Sequence, residues 1–335
     1  MRERMRTWVA IAASGALLLT TAACGTPETE SSEASPSPSG ASELRTFEAD
    51  NGAVEVPTDP QRVVALSYAV QPAIELGASV VGVDTQQNWG ERIHPDDVAT
   101  VDSVEQVGST SEPNYEAIAG LEPDLIVVGW PKRGLDTLPV ADLEAIAPTA
   151  VIGLGDPSSW KELESRVADV VGRTGAYEDV QQQYDQRVTE LGEEYAETLD
   201  STDFAFIRST EGTPGAQAGQ VMQEFGPAWN TNIAEEVGLN FIGEQNEASR
   251  QAWAAYYSLE ELDKVADADA ILTESDPEGN VPDATQQILD MDAFSSLPAA
   301  QDDQVHPFPW SGATTHKSAL LTLDSLDTIL EQVSS

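Results

Sequence analysis

The sequence predicts an α/β protein of two lobes, each built on a mostly parallel sheet flanked by helices, with a long backbone helix joining them. Three observations carry this. Short apolar runs rich in β-branched residues are continuous rather than alternating, the pattern of strands buried on both faces. Helical stretches separate successive runs, which is a βαβ progression. From 158 to 199 no strand candidate interrupts two helical stripes, so this stretch reads as a spacer between an N-terminal lobe (46–157) and a C-terminal lobe (200–335).

The first-lobe strands are RVVAL (62–66), SVVGV (79–83), DLIVV (124–128) and TAVIGL (149–154). Between them QPAIELG, PNYEAIAGLEP and PVADLEAIAP read as helices, with Pro113 and Asn114 marking one start and Pro123 a stop. In the spacer, Trp160, Leu163, Val167 and Val170 repeat at helical spacing. A second stripe then runs through Tyr177, Val180, Tyr184, Val188, Leu191, Tyr195 and Leu199. As one helix, 177–199 would span about 35 Å. In the second lobe DFAFI (203–207), DAILT (269–273) and QVHPF (304–308) are strands, and Ala319, Leu320, Leu323, Leu326 and Leu330 define the last helix. The halves echo each other: NYEAI (114–118) precedes DLIVV as SLEEL (258–262) precedes DAILT, each with a capping residue and a glutamate two later.

Residues 1–23 are not part of the fold. Arg2, Arg4 and Arg6 precede an uncharged stretch with the apolar run AIAASGALLL, followed by TAAC ending in Cys24. This reads as a secretory signal. TAAC resembles the bacterial lipobox, in which the cysteine becomes the acylated first mature residue, although Thr21 stands where leucine is usual. The reading makes Cys24 a lipid attachment point. Fifteen of the twenty residues 25–44 are Ser, Pro, Gly or Glu, without apolar period, so 24–45 is read as a lipidated cysteine and a flexible tether. The expected location is the outer face of the cytoplasmic membrane, held by the lipid anchor alone.

Composition excludes several classes. Lys+Arg 16 against Asp+Glu 58 gives a net charge of −42, which argues against nucleic acid and against docking on anionic lipid through a basic face. One cysteine excludes an internal disulfide and any CxxC site, and three histidines make a histidine-rich metal site unexpected. His94, His306 and His316 are expected in solvated or capping roles. No GxSxG elbow, GxGxxG or phosphate loop occurs, so no catalytic residue, cofactor or metal is assigned.

In parallel α/β sheets ligands bind beyond the carboxyl ends of the strands. Tyr68 follows the first strand, Trp89 the second by a loop, and Trp130 and Arg133 the third. Arg208 follows DFAFI, Trp310 follows QVHPF, and Trp229, Arg250, Trp253, Tyr256 and Tyr257 lie in the loop-rich second half. Five tryptophans in or next to loops, with a few guanidinium groups, suit a rigid, partly charged ligand.

These segments resemble the periplasmic-type substrate-binding proteins for ferric siderophores, haem and cobalamin, whose two lobes are joined by a backbone helix. The matching stretches are VPTDPQRVVAL (56–66), AIELGASVVGV (73–83), VGSTSEPNYEAIAGLEPDLIVVG (107–129), LEAIAPTAVI (143–152), SLEELDKVADADAILT (258–273) and LPAAQDDQVHPFPW (297–310). The resemblance implies a monomeric binding protein, not an enzyme, that passes an iron chelate to an ABC permease and, through it, to the ATPase. It also implies that Glu116 and Glu260 meet permease arginines, with Glu261 as the alternative to Glu260, and that lobe motion is modest. A siderophore already saturates its iron, so the protein need supply no ligand; a slight lean is to hydroxamates. The alternatives are cobalamin or haem, with Tyr68 or Tyr256 as an axial ligand, or, in a different class, a cell-wall lipoprotein with an enzymatic or structural role.

Overall fold

The computed structural model of the chain describes residues 43–85, 93–211, 217, 219–245 and 252–335. The secretory segment, Cys24, nearly all of the tether, Trp89 and Arg250 lie outside the described residues.

The described chain begins with a hairpin the sequence reading did not anticipate, β1 (Leu44–Ala49) and β2 (Gly52–Pro57), paired antiparallel. The first-lobe sheet is formed by β3 (Val63–Ser67), β4 (Val80–Val83), β5 (Glu105–Gln106), β6 (Leu125–Pro131) and β7 (Thr149–Leu154) in the order β5-β4-β3-β6-β7, parallel throughout. Helices α1 (Val70–Glu75), α2 (Tyr115–Gly120) and α3 (Val140–Glu144) flank it. Both faces of the sheet are covered, as the continuous apolar runs require. Ile126 and Val128 of β6 pack with Ile118 and Leu143, whereas Leu125 and Val127 face the core shared with the spacer. Each such side chain contributes roughly 1.5–3 kcal/mol by leaving water.

The hairpin protects the edge strand β7. The Asp50 backbone N–H donates to Val151 O at 2.8 Å, and the Asp50 carboxylate accepts the Gly153 N–H at 2.8 Å. Asn51 accepts the Val151 N–H and donates to Thr149 O, both at 2.9 Å. The turn thus imitates a further strand and blunts an edge that would otherwise pair with another chain.

The spacer comprises α4 (Trp160–Val170), α5 (Thr174–Glu194) and the short α6 (Ala196–Ser201). The single helix expected over 177–199 is divided at Tyr195, whose φ and ψ are −103° and 20°. Its hydroxyl donates to Asp327 Oδ1 at 2.6 Å and pins the turn to the last helix, while Tyr195 and Leu199 keep the stripe buried.

The second-lobe sheet is formed by β8 (Asp203–Ser209), β9 (Gln220–Glu224), β10 (Asn240–Phe241), β11 (Ala254–Ser258), β12 (Ala270–Ser275) and β13 (Val305–Pro309). Its order is β11-β9-β8-β12-β13, with β10 also on β8. β8, β10, β12 and β13 pair in parallel; β9 and β11 add antiparallel ladders. Helices α7 (Asn232–Val237), α8 (Asp283–Leu289) and α9 (His316–Val333) complete the lobe. One core runs through both lobes: Val127 and Ile152, then Trp160, Tyr184 and Leu191 of the spacer, then Phe206, Phe308 and Leu323.

Candidate functional site

The carboxyl ends of the two sheets carry backbone conformations that ordinary side chains avoid. Ser67, the last residue of β3, has φ 54°, and Trp310, immediately after β13, has φ 61°. Left-handed geometry at a residue with a Cβ costs on the order of 1 kcal/mol and persists only where its surroundings enforce it. At β3 the enforcing neighbour is Gly129 of β6, which passes so closely that a Cβ there would lie 2.6 Å from Ala69 N and 2.7 Å from the Tyr68 carbonyl carbon. At β13 the Trp310 carbonyl accepts the Thr322 hydroxyl at 2.6 Å. The first turn directs Tyr68 at the opposite lobe, where its ring stacks on Trp229 with centroids 5.8 Å apart and planes within 5°.

Behind Trp229 lies a charged cluster on the sheet. Arg208 Nε donates to Glu224 Oε1 at 2.7 Å, and the Glu224 side chain is fully buried. The other carboxylate oxygen accepts Asn230 N at 3.1 Å and Asn230 Nδ2 at 3.0 Å, so the residue after Trp229 is fixed by the same glutamate. Asn230 Oδ1 accepts the Ser311 hydroxyl at 2.8 Å, tying in the residue after Trp310. Glu274 of β12 accepts the Thr285 hydroxyl at 2.9 Å. Burial pushes its carboxyl above the usual range, and Arg208 pulls it partly back. Tyr256 lies beside Met222, with Ala254 and Trp253 completing a small apolar patch.

Of the residues the sequence singled out, Tyr68 and Trp229 therefore meet across the lobes, and Arg208, Trp253, Tyr256 and Trp310 gather on the second lobe. Trp130 does not sit in a loop. β6 extends through it, its parity with Ile126 and Val128 turns it to the face away from the spacer, and its ring N–H is committed to Gly134 O at 3.0 Å. Arg133 is exposed in the turn that follows. Tyr256 is buried against the sheet. Among the described residues no group of three or more His, Cys, Asp or Glu side chains could hold a metal ion.

The two echoed glutamates occupy equivalent positions. Asn114 caps α2 by accepting the Ala117 N–H at 3.1 Å, and Glu116 stands two residues on, exposed. Ser258 caps the 3-10 helix Leu259–Val265, and Glu260 stands two residues on, also exposed. Glu261 is consumed by the capping box: its carboxylate accepts the Ser258 hydroxyl at 2.8 Å and backbone N–H at 3.1 Å, which hold it below the usual carboxylate range.

Below the aromatic pair, a buried polar seam joins the lobes. Glu75 of α1 accepts the His94 backbone N–H and the Ser318 hydroxyl, each at 2.8 Å, Gln71 Nε2 at 3.1 Å, and the Thr315 hydroxyl. Gln71 in turn accepts the Thr314 hydroxyl at 2.8 Å. Glu164 of α4 accepts the His316 backbone N–H at 3.0 Å and pairs with its ring Nδ1 at 2.6 Å. His316 is thus buried and hydrogen-bonded to Glu164 rather than solvated. His94 caps a turn, and His306 sits in β13 between Gln304 and Gln332. Trp160 Nε1 donates to Asn232 at 2.9 Å, a further bond from spacer to second lobe.

The sequence pattern of the periplasmic binding protein family matches residues 63–309, the whole span from β3 to the end of β13. The chain belongs to that family. Among solved structures, the siderophore periplasmic binding protein from the fuscachelin gene cluster of Thermobifida fusca is 32% identical. It superposes with a TM-score of 0.71, covering 83% of this chain and 98% of that one. Among curated relatives, the iron(3+)-hydroxamate-binding protein FhuD of Bacillus subtilis is 34% identical over 137 residues, 41% of this chain and 40% of FhuD. The iron-uptake system-binding protein of the same organism is 24% identical over 297 residues, 87% of each chain. The first curated relatives are thus matched over less than half of their own length.

Within this periplasmic binding protein, sequence reasoning missed Glu224, Asn230 and Glu274. The alternation of QVMQE (220–224) bears on Glu224 alone, placing it with Met222 on one face with Arg208 once β8 and β9 are paired; Asn230 and Glu274 carry no such signal.

Proposed function

We propose that this chain is a receptor lipoprotein that captures a ferric siderophore, of hydroxamate type, between its lobes and delivers it to an ABC importer without chemical turnover. The observation that carries the reading is the Tyr68–Trp229 pair, two rings from opposite lobes at the carboxyl ends of the sheets, above the Arg208 cluster. Broad aromatic faces would cover the apolar shell of the chelate, and Arg208 would offer N–H donors to its iron-bound oxygens. The chelator fills the iron's coordination sphere, so the protein needs no metal ligand of its own. On this reading Trp253, Tyr256 and Trp310 would add further contacts from the second lobe, and Arg133 one from the first. The names of the similar proteins, an iron-hydroxamate-binding protein and a siderophore-binding protein, support the cargo class.

Glu116 and Glu260, each exposed two residues behind a helix cap on a different lobe, would meet basic sockets on the permease, which couples to its ATPase. Cys24 would carry the lipid that keeps the monomeric receptor at the outer face of the membrane. The test is a tryptophan-fluorescence titration of residues 45–335 with ferric hydroxamates, ferric catecholates, haem and cobalamin. Saturable quenching by a ferric hydroxamate is the expected result. Quenching by haem or cobalamin alone moves the cargo within the transport class, and no response to any of the four overturns the transport reading.

A further inference from the structure

Taking the siderophore reading as its basis, the geometry around Arg208 goes further, to the charge of the cargo. Arg208 is the one cation among the described residues at the carboxyl edge of β8, and its side chain is only 15% exposed. Two carboxylates already answer it. Glu224 is bonded to Nε at 2.7 Å and is itself held by both nitrogens of Asn230. Glu274 stands on the same face of β12, one residue beyond the last β8–β12 pair, Ile207 with Thr273, and within electrostatic reach of both Arg208 and Glu224. Thr285 donates to Glu274 and accepts the Ser209 N–H at 3.0 Å, so α8 locks this carboxylate against the end of β8.

A guanidinium so placed, its Nε on Glu224 and its Nη1 on Ser209 O at 3.2 Å, supplies no net positive charge. A ferric tris-hydroxamate, neutral because three singly charged ligands balance the iron, needs none. A ferric tris-catecholate retains three negative charges and needs cations that nothing else has neutralised. Lys132 and Arg133 on the first lobe are exposed, where solvent and salt weaken them. We infer that Glu224 and Glu274 act as a charge filter: by compensating Arg208 twice, they make the second-lobe wall admit neutral and positively charged ferric chelates and reject anionic ones. They are specificity-determining residues for a binding step. At an effective dielectric of about 20, each unit of ligand charge about 12 Å away changes affinity by about tenfold, and more at shorter range.

Three probes test this by fluorescence titration of the soluble body: a linear ferric tris-hydroxamate with a terminal ammonium, the same compound N-acetylated, and a ferric tris-catecholate. The expected order is ammonium form at least as tight as acetylated form, and both at least about tenfold tighter than the catecholate. Raising the salt concentration should improve catecholate binding and leave the acetylated form unchanged. Glu274→Gln, checked for native circular dichroism, should narrow the gap between acetylated hydroxamate and catecholate by about tenfold. Should that variant not fold, the salt series on the unaltered protein decides. A catecholate bound as tightly as the acetylated hydroxamate, or weakened by salt, overturns the filter while leaving the siderophore reading intact. Failure of all three probes overturns the siderophore reading itself.

Discussion

Replacing Glu75 tests whether the polar seam holds the lobes. Its carboxylate accepts four hydrogen bonds, from Gln71, the His94 backbone, Thr315 and Ser318, the last two belonging to the opposite lobe. Glu75→Ala leaves all four donors without their acceptor. Each unpaired buried donor costs about 1–3 kcal/mol and water entering the vacated space recovers part of that, so the net cost is about 3–5 kcal/mol. For a body of this size that lowers Tm by about 10 °C. Glu75→Gln addresses the charge separately. Burial raises the Glu75 carboxyl above its ordinary value of 4.5 despite the four donors. Between 4.5 and the raised value, the folded state holds a proton that the unfolded chain has lost. Stability from this group is therefore full below pH 4.5 and declines as pH rises through the folded value. Glu75→Gln abolishes that slope, so its stability relative to the unaltered protein should improve from pH 4.5 up to the raised folded value and then level off. Urea unfolding of the soluble body across this range measures both effects. A Glu75→Ala cost below about 1 kcal/mol, or a Glu75→Gln curve parallel to that of the unaltered protein, would refute the reasoning.

Gly129→Ala places a methyl within 2.6 Å of the Ala69 nitrogen, forcing the Tyr68 turn outward; chelate affinity should fall about tenfold while the urea midpoint moves far less, and equal loss of both would show that the position serves the core alone. Glu116→Ala with Glu260→Ala should leave chelate affinity intact and cut cellular iron uptake, whereas Glu261→Ala should lower the urea midpoint slightly through the lost capping box with little effect on uptake; a drop in affinity in the double variant contradicts the docking role. Cys24→Ala should move the protein from the membrane fraction to the medium, and membrane retention would contradict the anchor.

All seven strands named from sequence are present; those in the middle of the sheets, such as RVVAL, DLIVV and DAILT, are buried on both faces and so spell continuous apolar runs. The strands that escaped notice obey other rules. QVMQE and AAYYS (254–258) form the antiparallel flank, short and partly polar, while RTFEA and GAVEV of the hairpin alternate with charges beside a tether-like composition. At the site, Tyr68 and Trp229 were legible as loop aromatics, but their contact joins residues 161 positions apart and required the fold. Trp130 lies in the strand itself, and its parity with Ile126 and Val128 puts it on the face away from the spacer. The neutralisation of Arg208 was not legible at all. In a chain with 58 acids, no local feature marks Glu224 and Glu274 as its partners; only the pairing of β9 and β12 with β8 does.

The same contacts bear on how cargo enters. Parting the lobes as rigid bodies would break the Glu75 and Gln71 bonds to α9, the Glu164–His316 pair, the Trp160–Asn232 bond and a core that runs unbroken from Val127 to Leu323. Those losses together amount to several kcal/mol. Separating the stacked rings of Tyr68 and Trp229 costs about 0.5–1.5 kcal/mol, which contact with a chelate replaces. The least costly response to a ligand is therefore a local parting of two rings over a stiff frame. On this reasoning the spacing between Glu116 and Glu260 should change little on capture, and a permease docking on them, as proposed, would sense cargo through small shifts at the lobe rims rather than through a wide closure.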